Sequence, residues 1–140
     1  MQPINPYLTV KGAAEAIAFY QRAFGAKENQ RLQAPDGKRI MHADLTINGG
    51  TVMLSDEFAE HPEHGAVFAP SQDKPAPVAT VIQYAKPAEV DATFRRAVEA
   101  GCRATLEPHD TFWEARFAML ADPFGHRWML NAPLPKNKKK

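Results

Sequence analysis

The sequence has little of several things, and each scarcity removes a class of protein. There is one cysteine in 140 residues, Cys102, so no disulfide can form within the chain. Aromatic residues make up only 9% and no apolar run approaches the length of a membrane span, so no membrane partner is expected. The N-terminus lacks a basic segment followed by an apolar stretch, and a cytoplasmic location is the default expectation. Net charge is only +1, and four lysines at the end (Lys136, Lys138, Lys139, Lys140) supply more than that. The remaining chain is therefore net negative, which argues against a nucleic-acid partner.

What is present is an ordinary globular composition, 44% hydrophobic and 24% charged, on a chain long enough to bury a substantial core without staples. Asn5–Val10 alternates as a strand, and Ala13, Ile17, Tyr20 and Phe24 recur at helical spacing until Gly25. Three further strands follow, at 26–34, 39–47 and 51–55, joined by Pro35-Asp36-Gly37 and Asn48-Gly49-Gly50 turns. The segment 57–77 loses periodicity and gathers Pro62, Pro70, Pro75 and Pro77, as a linker does. Then the pattern restarts. A strand at 78–85, a helix from Pro87 to Gly101, and strands at 103–106, 115–121 and 127–131 complete a second set.

The chain is thus read as α+β: a first βαβββ module over 1–56, the linker 57–77, a second module over 78–132, and a flexible basic tail 133–140, forming one structural domain. At an offset of 74, Ala14, Glu15, Ala18, Arg22 and Ala23 recur as Ala88, Glu89, Ala92, Arg96 and Ala97, as a duplication would leave them. Two curled mixed sheets with helices on their convex sides are expected to face each other around a cavity. Alternation sends Ala43, Leu45, Ile47, Val52 and Leu54 to the helices, and His42, Asp44, Thr46, Met53 and Ser55 to the cavity. Asn5, Tyr7 and Thr9 should point inward from the first strand, and Thr80, Ile82 and Tyr84 from the fifth.

The Asp122-Pro123-Phe124-Gly125-His126-Arg127-Trp128 corner opens the last strand, with Arg127, Met129 and Asn131 on one face and Trp128 and Leu130 on the other. Together with Pro6-Tyr7-Leu8-Thr9-Val10, Ala16-Ile17-Ala18-Phe19-Tyr20, Phe24-Gly25-Ala26, Ile40-Met41-His42-Ala43, Val52-Met53-Leu54-Ser55-Asp56-Glu57 and Phe112-Trp113, it resembles the vicinal oxygen chelate superfamily. This is the glyoxalase/bleomycin-resistance/dioxygenase family, and the resemblance is to its PhnB-like branch. It implies paired βαβββ modules, a homodimer, and a small-molecule cavity in each half-barrel.

In metal-dependent members, His and Glu side chains from the first, fourth, fifth and eighth strands hold a divalent ion. Here those positions read as Asn5, a residue among Met53–Ser55, Thr80 and Met129. An amide, a hydroxyl and a thioether suit a hard or borderline cation poorly, so no metal is expected there, no cofactor is expected, and a divalent ion is left open only elsewhere. Glu60-His61-Pro62-Glu63-His64 has ligand residue types in a segment without geometry of its own.

His42, two residues before Asp44, is the candidate catalytic base. Its plainer alternative is a histidine bonded to a neighbouring strand. Tyr7, Asp44, Met53, Phe112, Trp113, Glu114, Arg116 and Met129 are the candidate substrate-binding residues, with Phe112, Trp113, Glu114 and Arg116 at the mouth. Ser55, His42 and Asp44 have the letters of a catalytic triad, but no nucleophile elbow surrounds Ser55. Two functions follow. One is a metal-independent enzyme of lyase or isomerase type acting on a small oxygenated or ring-containing metabolite. The other is a dimeric protein that sequesters an aromatic or antibiotic-like molecule.

Overall fold

The computed structural model describes residues 2–61, 63 and 68–136. Its order is β1 (Tyr7–Val10), α1 (Ala13–Phe24), β2 (Lys27–Gln33), β3 (Ile40–Ile47), β4 (Gly50–Asp56), β5 (Ala79–Gln83), α2 (Pro87–Ala100), β6 (Arg103–Asp110), β7 (Ala115–Ala121) and β8 (Arg127–Pro133). The strands form two separate four-stranded mixed sheets, ordered β1-β4-β3-β2 and β5-β8-β7-β6. In each, the first strand pairs parallel to the last and the others are antiparallel. This is the expected two-module α+β architecture. His64 and Lys138–Lys140, part of the linker and tail expectations, lie outside the described residues.

β6 runs to Asp110 rather than stopping at Leu106. It is an edge strand, so Pro108 costs no ladder hydrogen bond, and two register shifts against β7 absorb the irregularity.

Each helix begins where a strand ends. Asp56, buried at the end of β4, accepts the Gly12 and Ala13 amides through Oδ1 (both 2.9 Å) and the Ile40 amide through Oδ2 (2.8 Å). One carboxylate therefore fixes the start of α1 to both central strands. An arginine does similar work at the other end: Arg96 of α2 donates to the carbonyls of Arg22 (2.6 Å) and Gln21 (3.2 Å) at the C-terminus of α1.

The apolar faces of both sheets and both helices share one core, which includes Leu45 and Leu54 of the first sheet, Trp128 and Leu130 of the second, and Ile17, Tyr20 and Val90 of the helices. Tyr20 and Phe24 meet Trp128 at ring separations of 5.4 and 4.7 Å. Because both apolar faces look into this common core, the opposite faces look away from it. The expected cavity between the two concave faces is therefore not closed within one chain.

On the first sheet alternation places His42, Asp44, Met53, Ser55, Tyr7 and Thr9 away from the core, as their neighbours Ala43, Leu45, Leu54 and Leu8 are buried. On β5 the expectation is reversed. Thr80 and Ile82 pair with the buried Trp128 and Leu130 and look toward the helices, Tyr84 packs on the same core, and Val81 faces outward.

The Asp122 corner joins the modules. Its Oδ1 accepts the amides of Phe124 (2.8 Å) and His126 (3.0 Å), and its Oδ2 accepts Tyr20 Oη (2.5 Å) and Trp128 Nε1 (2.8 Å). Burial, and then the Asp122 charge, raises the Tyr20 hydroxyl well above its ordinary value and keeps it a donor. His126 donates from Nε2 to the Thr9 carbonyl across the module boundary (2.8 Å). Gly125 turns at φ +92°, and a Cβ there would stand 2.5 Å from the Ser71 nitrogen, so the connecting segment can lie flat on the corner.

Asp122→Asn tests this hub. An amide offers one acceptor oxygen where four donors converge, so one side of the carboxamide must face donors with its own NH2. The expected cost is about 3 kcal/mol, read as a lower urea midpoint at unchanged m-value.

Candidate active site

A tyrosine, a histidine and an aspartate able to do proton chemistry together collect on the outward face of the first sheet. Register puts Tyr7 of β1, Met53 of β4 and Asp44 of β3 in one row across three strands. His42, one step along β3, lies between the two ends of that row. Tyr7 Oη is 2.8 Å from His42 Nδ1, and His42 Nε2 is 2.7 Å from Asp44 Oδ1. A carboxylate can only accept, so Nε2 carries the hydrogen of a neutral His42, and Nδ1 accepts from the Tyr7 hydroxyl. The result is a continuous Tyr7–His42–Asp44 hydrogen-bonded chain. Partial burial, opposed by a hydrogen bond with Ser55 and reinforced by the Asp44 charge, raises the Tyr7 hydroxyl above its ordinary value. It therefore stays protonated through the neutral range.

Of these three residues, Tyr7 lines a cleft of about 470 Å³. Tyr7, Thr9 and Ser55 contribute hydroxyl-bearing side chains to its lining, Met41 and Pro35 apolar surface, and Phe58 and His61 come from the segment just after β4. That volume suits a small organic molecule.

The other candidate residues do not join this cleft in one chain. Met129 stands on the outward face of the second sheet, opposite Val81 and Met119. Phe112, 93% exposed, and Trp113, 54% exposed, occupy the β6–β7 turn in T-shaped contact (5.0 Å), and Trp113 packs on Phe117 (5.9 Å). Glu114 takes a positive φ of 66° in that turn, its amide bonded to the Thr111 carbonyl. Arg116 does not border the cleft: it pairs with buried Ala132, so its side chain lies on the α2 side, bonded to Asp91 (3.0 Å) and Asp110 (3.0 Å). The parity of β7 turns it away from any site on the outward face.

The positions that the sequence resemblance assigns to metal ligands include Asn5, Met53 and Met129; Thr80 faces the helices, and the neighbouring residue on the outward face is Ala79. Asn5 donates from Nδ2 to the Gln2 carbonyl (3.0 Å), and its buried Oδ1 has no hydrogen-bond partner among the described residues. One amide oxygen, two thioethers and a methyl group do not fit a hard divalent ion. No three His, Cys, Asp or Glu side chains among the described residues gather as a metal-binding group. Cys102 is buried, and burial raises its thiol to about 12, leaving it a poor nucleophile.

Residues 3–130 match the model of the Glyoxalase/Bleomycin resistance protein/Dioxygenase superfamily. The chain belongs to that superfamily. It is 40% identical over 131 residues to an uncharacterized protein of Mycobacterium tuberculosis, covering 94% of this chain and 74% of that one. A PhnB protein from Bacillus cereus superposes with a TM-score of 0.67 at 21% identity, covering 96% of this chain and all (100%) of the other. The fosfomycin resistance protein FosX from Listeria monocytogenes, in complex with Mn(II) and sulfate, superposes at 0.68 with 18% identity, covering 99% and 98%. At such identities the two structures share the superfamily fold with this chain.

The sequence places Tyr7, His42 and Asp44 on one face, but not the bond between Tyr7 and His42, which depends on strand order. Phe58 and Met41 carry no signal of their own, since one follows the last strand of its module and the other borders a β-bulge.

The tautomer assignment can be checked directly. Long-range proton–nitrogen correlation spectra of the protein should show His42 protonated on Nε2 when neutral, and Asp44→Asn should shift that pattern because an amide can also donate. An unchanged pattern in Asp44→Asn would show that Asp44 does not set the tautomer.

Proposed function

We propose that this protein is a metal-independent enzyme that moves a proton on a small oxygenated or ring-containing molecule, in a reaction of lyase or isomerase type, with His42 as the base. The Tyr7–His42–Asp44 chain carries this reading. A substrate acid placed against Tyr7 gives its proton to Oη as the hydroxyl proton of Tyr7 passes to His42 Nδ1. The imidazolium so formed is stabilised by the Asp44 carboxylate at Nε2. The reverse transfer returns the proton to a different atom of the intermediate, or to the departing group. No divalent ion takes part, as the donor set at the superfamily position supports.

The working unit in this proposal is a homodimer, in which the outward face of the first sheet of one copy covers the outward face of the second sheet of the other. Exposed Tyr7 (49%), Val81 (46%) and Trp113 (54%) support it, since each leaves a large apolar surface in water in the single chain. Neither nucleic acid nor a membrane is a partner in this reading: the body of the chain is net negative, and no helix among the described residues is long and apolar enough to cross a bilayer. A cytoplasmic location is proposed with it.

A second reading, sequestration without turnover, is favoured by the exposed Phe112–Trp113 pair. The two separate by mutation. His42→Ala is expected to abolish turnover while ligand affinity stays within about tenfold, roughly 1.4 kcal/mol. If Trp113→Ala removes the affinity and no variant alters any product, sequestration is correct.

Native mass spectrometry with elemental analysis, on protein purified without chelator, checks the assembly and the metal together. A metal-free dimer is expected. A monomer would overturn the shared cavity, and a stoichiometric divalent ion would overturn the metal-independent mechanism.

A further inference from the structure

We infer that Phe58, fixed by Arg39, is the ligand-stacking wall of the cleft, and that the cleft selects an uncharged or cationic aromatic molecule over an anionic one. This rests on the reading of the cleft beside Tyr7 as the ligand site. It adds which residues choose the ligand and what charge the ligand carries.

Phe58 belongs to a segment with no strand or helix of its own, and one arginine holds it. Arg39 donates from Nε to Asp36 (2.8 Å), from Nη1 to the Glu57 carbonyl (3.2 Å) and to Glu60 (3.1 Å), and from Nη2 also to Glu60. Its guanidinium lies 4.2 Å from the centre of the Phe58 ring. One face of that ring is thus covered by a cation whose hydrogen-bonding groups are engaged with two carboxylates and a carbonyl. Phe58 also borders the cleft, whose lining includes Met41 and Pro35 as apolar surface and Tyr7 and Ser55 as hydroxyl-bearing residues. A flat aromatic ligand fits such a slot, with its ring against Phe58 and the Met41 thioether, and a hydroxyl toward Tyr7.

The charge follows from the same lining. No lysine or arginine borders the cleft among the described residues, the bordering His61 is engaged with Glu60 and Glu63, and Asp44 stands behind His42. The nearest guanidinium, that of Arg39, is engaged with Asp36 and Glu60. A sulfonate, phosphonate or carboxylate placed here would lose its hydration without gaining a cationic partner, and would meet negative charge.

The test uses the full chain and three probes of one shape: 2-naphthol, 2-naphthalenesulfonate and N-methylquinolinium, with affinities read by fluorescence titration. 2-Naphthol and N-methylquinolinium are expected to bind at least about tenfold more tightly than the sulfonate, equivalent to 1.4 kcal/mol. Phe58→Leu, which keeps apolar volume and loses the ring, should weaken 2-naphthol about tenfold, while Phe58→Tyr should keep it within about twofold. Arg39→Gln should weaken the neutral and anionic probes alike, because Arg39 positions Phe58 and does not bind ligand. Selective loss of the sulfonate in Arg39→Gln, a sulfonate affinity equal to that of 2-naphthol, or an unchanged Phe58→Leu would each overturn the inference. His42→Ala serves as a control: retained 2-naphthol binding with unaltered turnover would defeat the base assignment and leave the Phe58 wall standing.

Discussion

The Asp122 carboxylate is the group on which the arrangement of the two modules depends. It is 1% exposed, and its two oxygens take four donors from two places. Two are amides of its own turn, which shape the entry to β8, and two are the Tyr20 hydroxyl of the first module and the Trp128 indole of the second. A buried anion is tolerable only when its lone pairs are filled, so the turn, α1 and β8 must all be in place together. His126, four residues on, then reaches β1 through the Thr9 carbonyl. The site inherits this order: Thr9 shares β1 with Tyr7, and the position of β1 against β4 brings the Tyr7 hydroxyl within reach of His42.

The two modules match in geometry and differ in chemistry. The row Tyr7, Met53, Asp44 on the first sheet corresponds to Val81, Met129, Met119 on the second. The two-module scaffold thus carries a row able to move protons on one sheet and, at the corresponding positions of the other, valine and thioethers. That second row has no group to ionise, although Arg127 shares its face. In a cavity built from one face of each kind, the reactive groups would act from a single side. The opposite wall would exclude water, which strengthens the Tyr7–His42–Asp44 hydrogen bonds by lowering the local dielectric.

How much of this was legible before the structure varied with the local signal. Both βαβββ patterns, the helix bounds at Gly25 and Gly101, and the β3 and β4 faces could be read because buried and exposed residues there alternate cleanly. β5 misled because Val81 and Ile82 are adjacent and both apolar, so alternation has no phase to offer; what sets its facing is Trp128 and Leu130 across the ladder. Arg116 was misplaced for a related reason: the sequence gives the parity of β7 no marker, and only its pairing with Ala132 shows that it faces α2. The mutual orientation of the sheets was not legible at all. It depends on a core shared between α1, α2 and both sheets, which periodicity along one strand does not encode.

In the proposed mechanism, the thioether at Met53 and the use of His42 as base are linked by more than their common face. A divalent ion beside Met53 would stand one row from His42 and would place two positive charges near the imidazolium that the proposed transfer forms. With a thioether there the Asp44 carboxylate is the charge that His42 contacts most closely, and it can pair with the imidazolium that the proposed transfer forms. The same reasoning extends to the ligand. An anion in the cleft would have to shed its hydration with no lysine or arginine among the lining residues to receive it. A neutral aromatic acid avoids that cost and becomes charged only as its proton leaves, the moment at which the imidazolium has formed to face it.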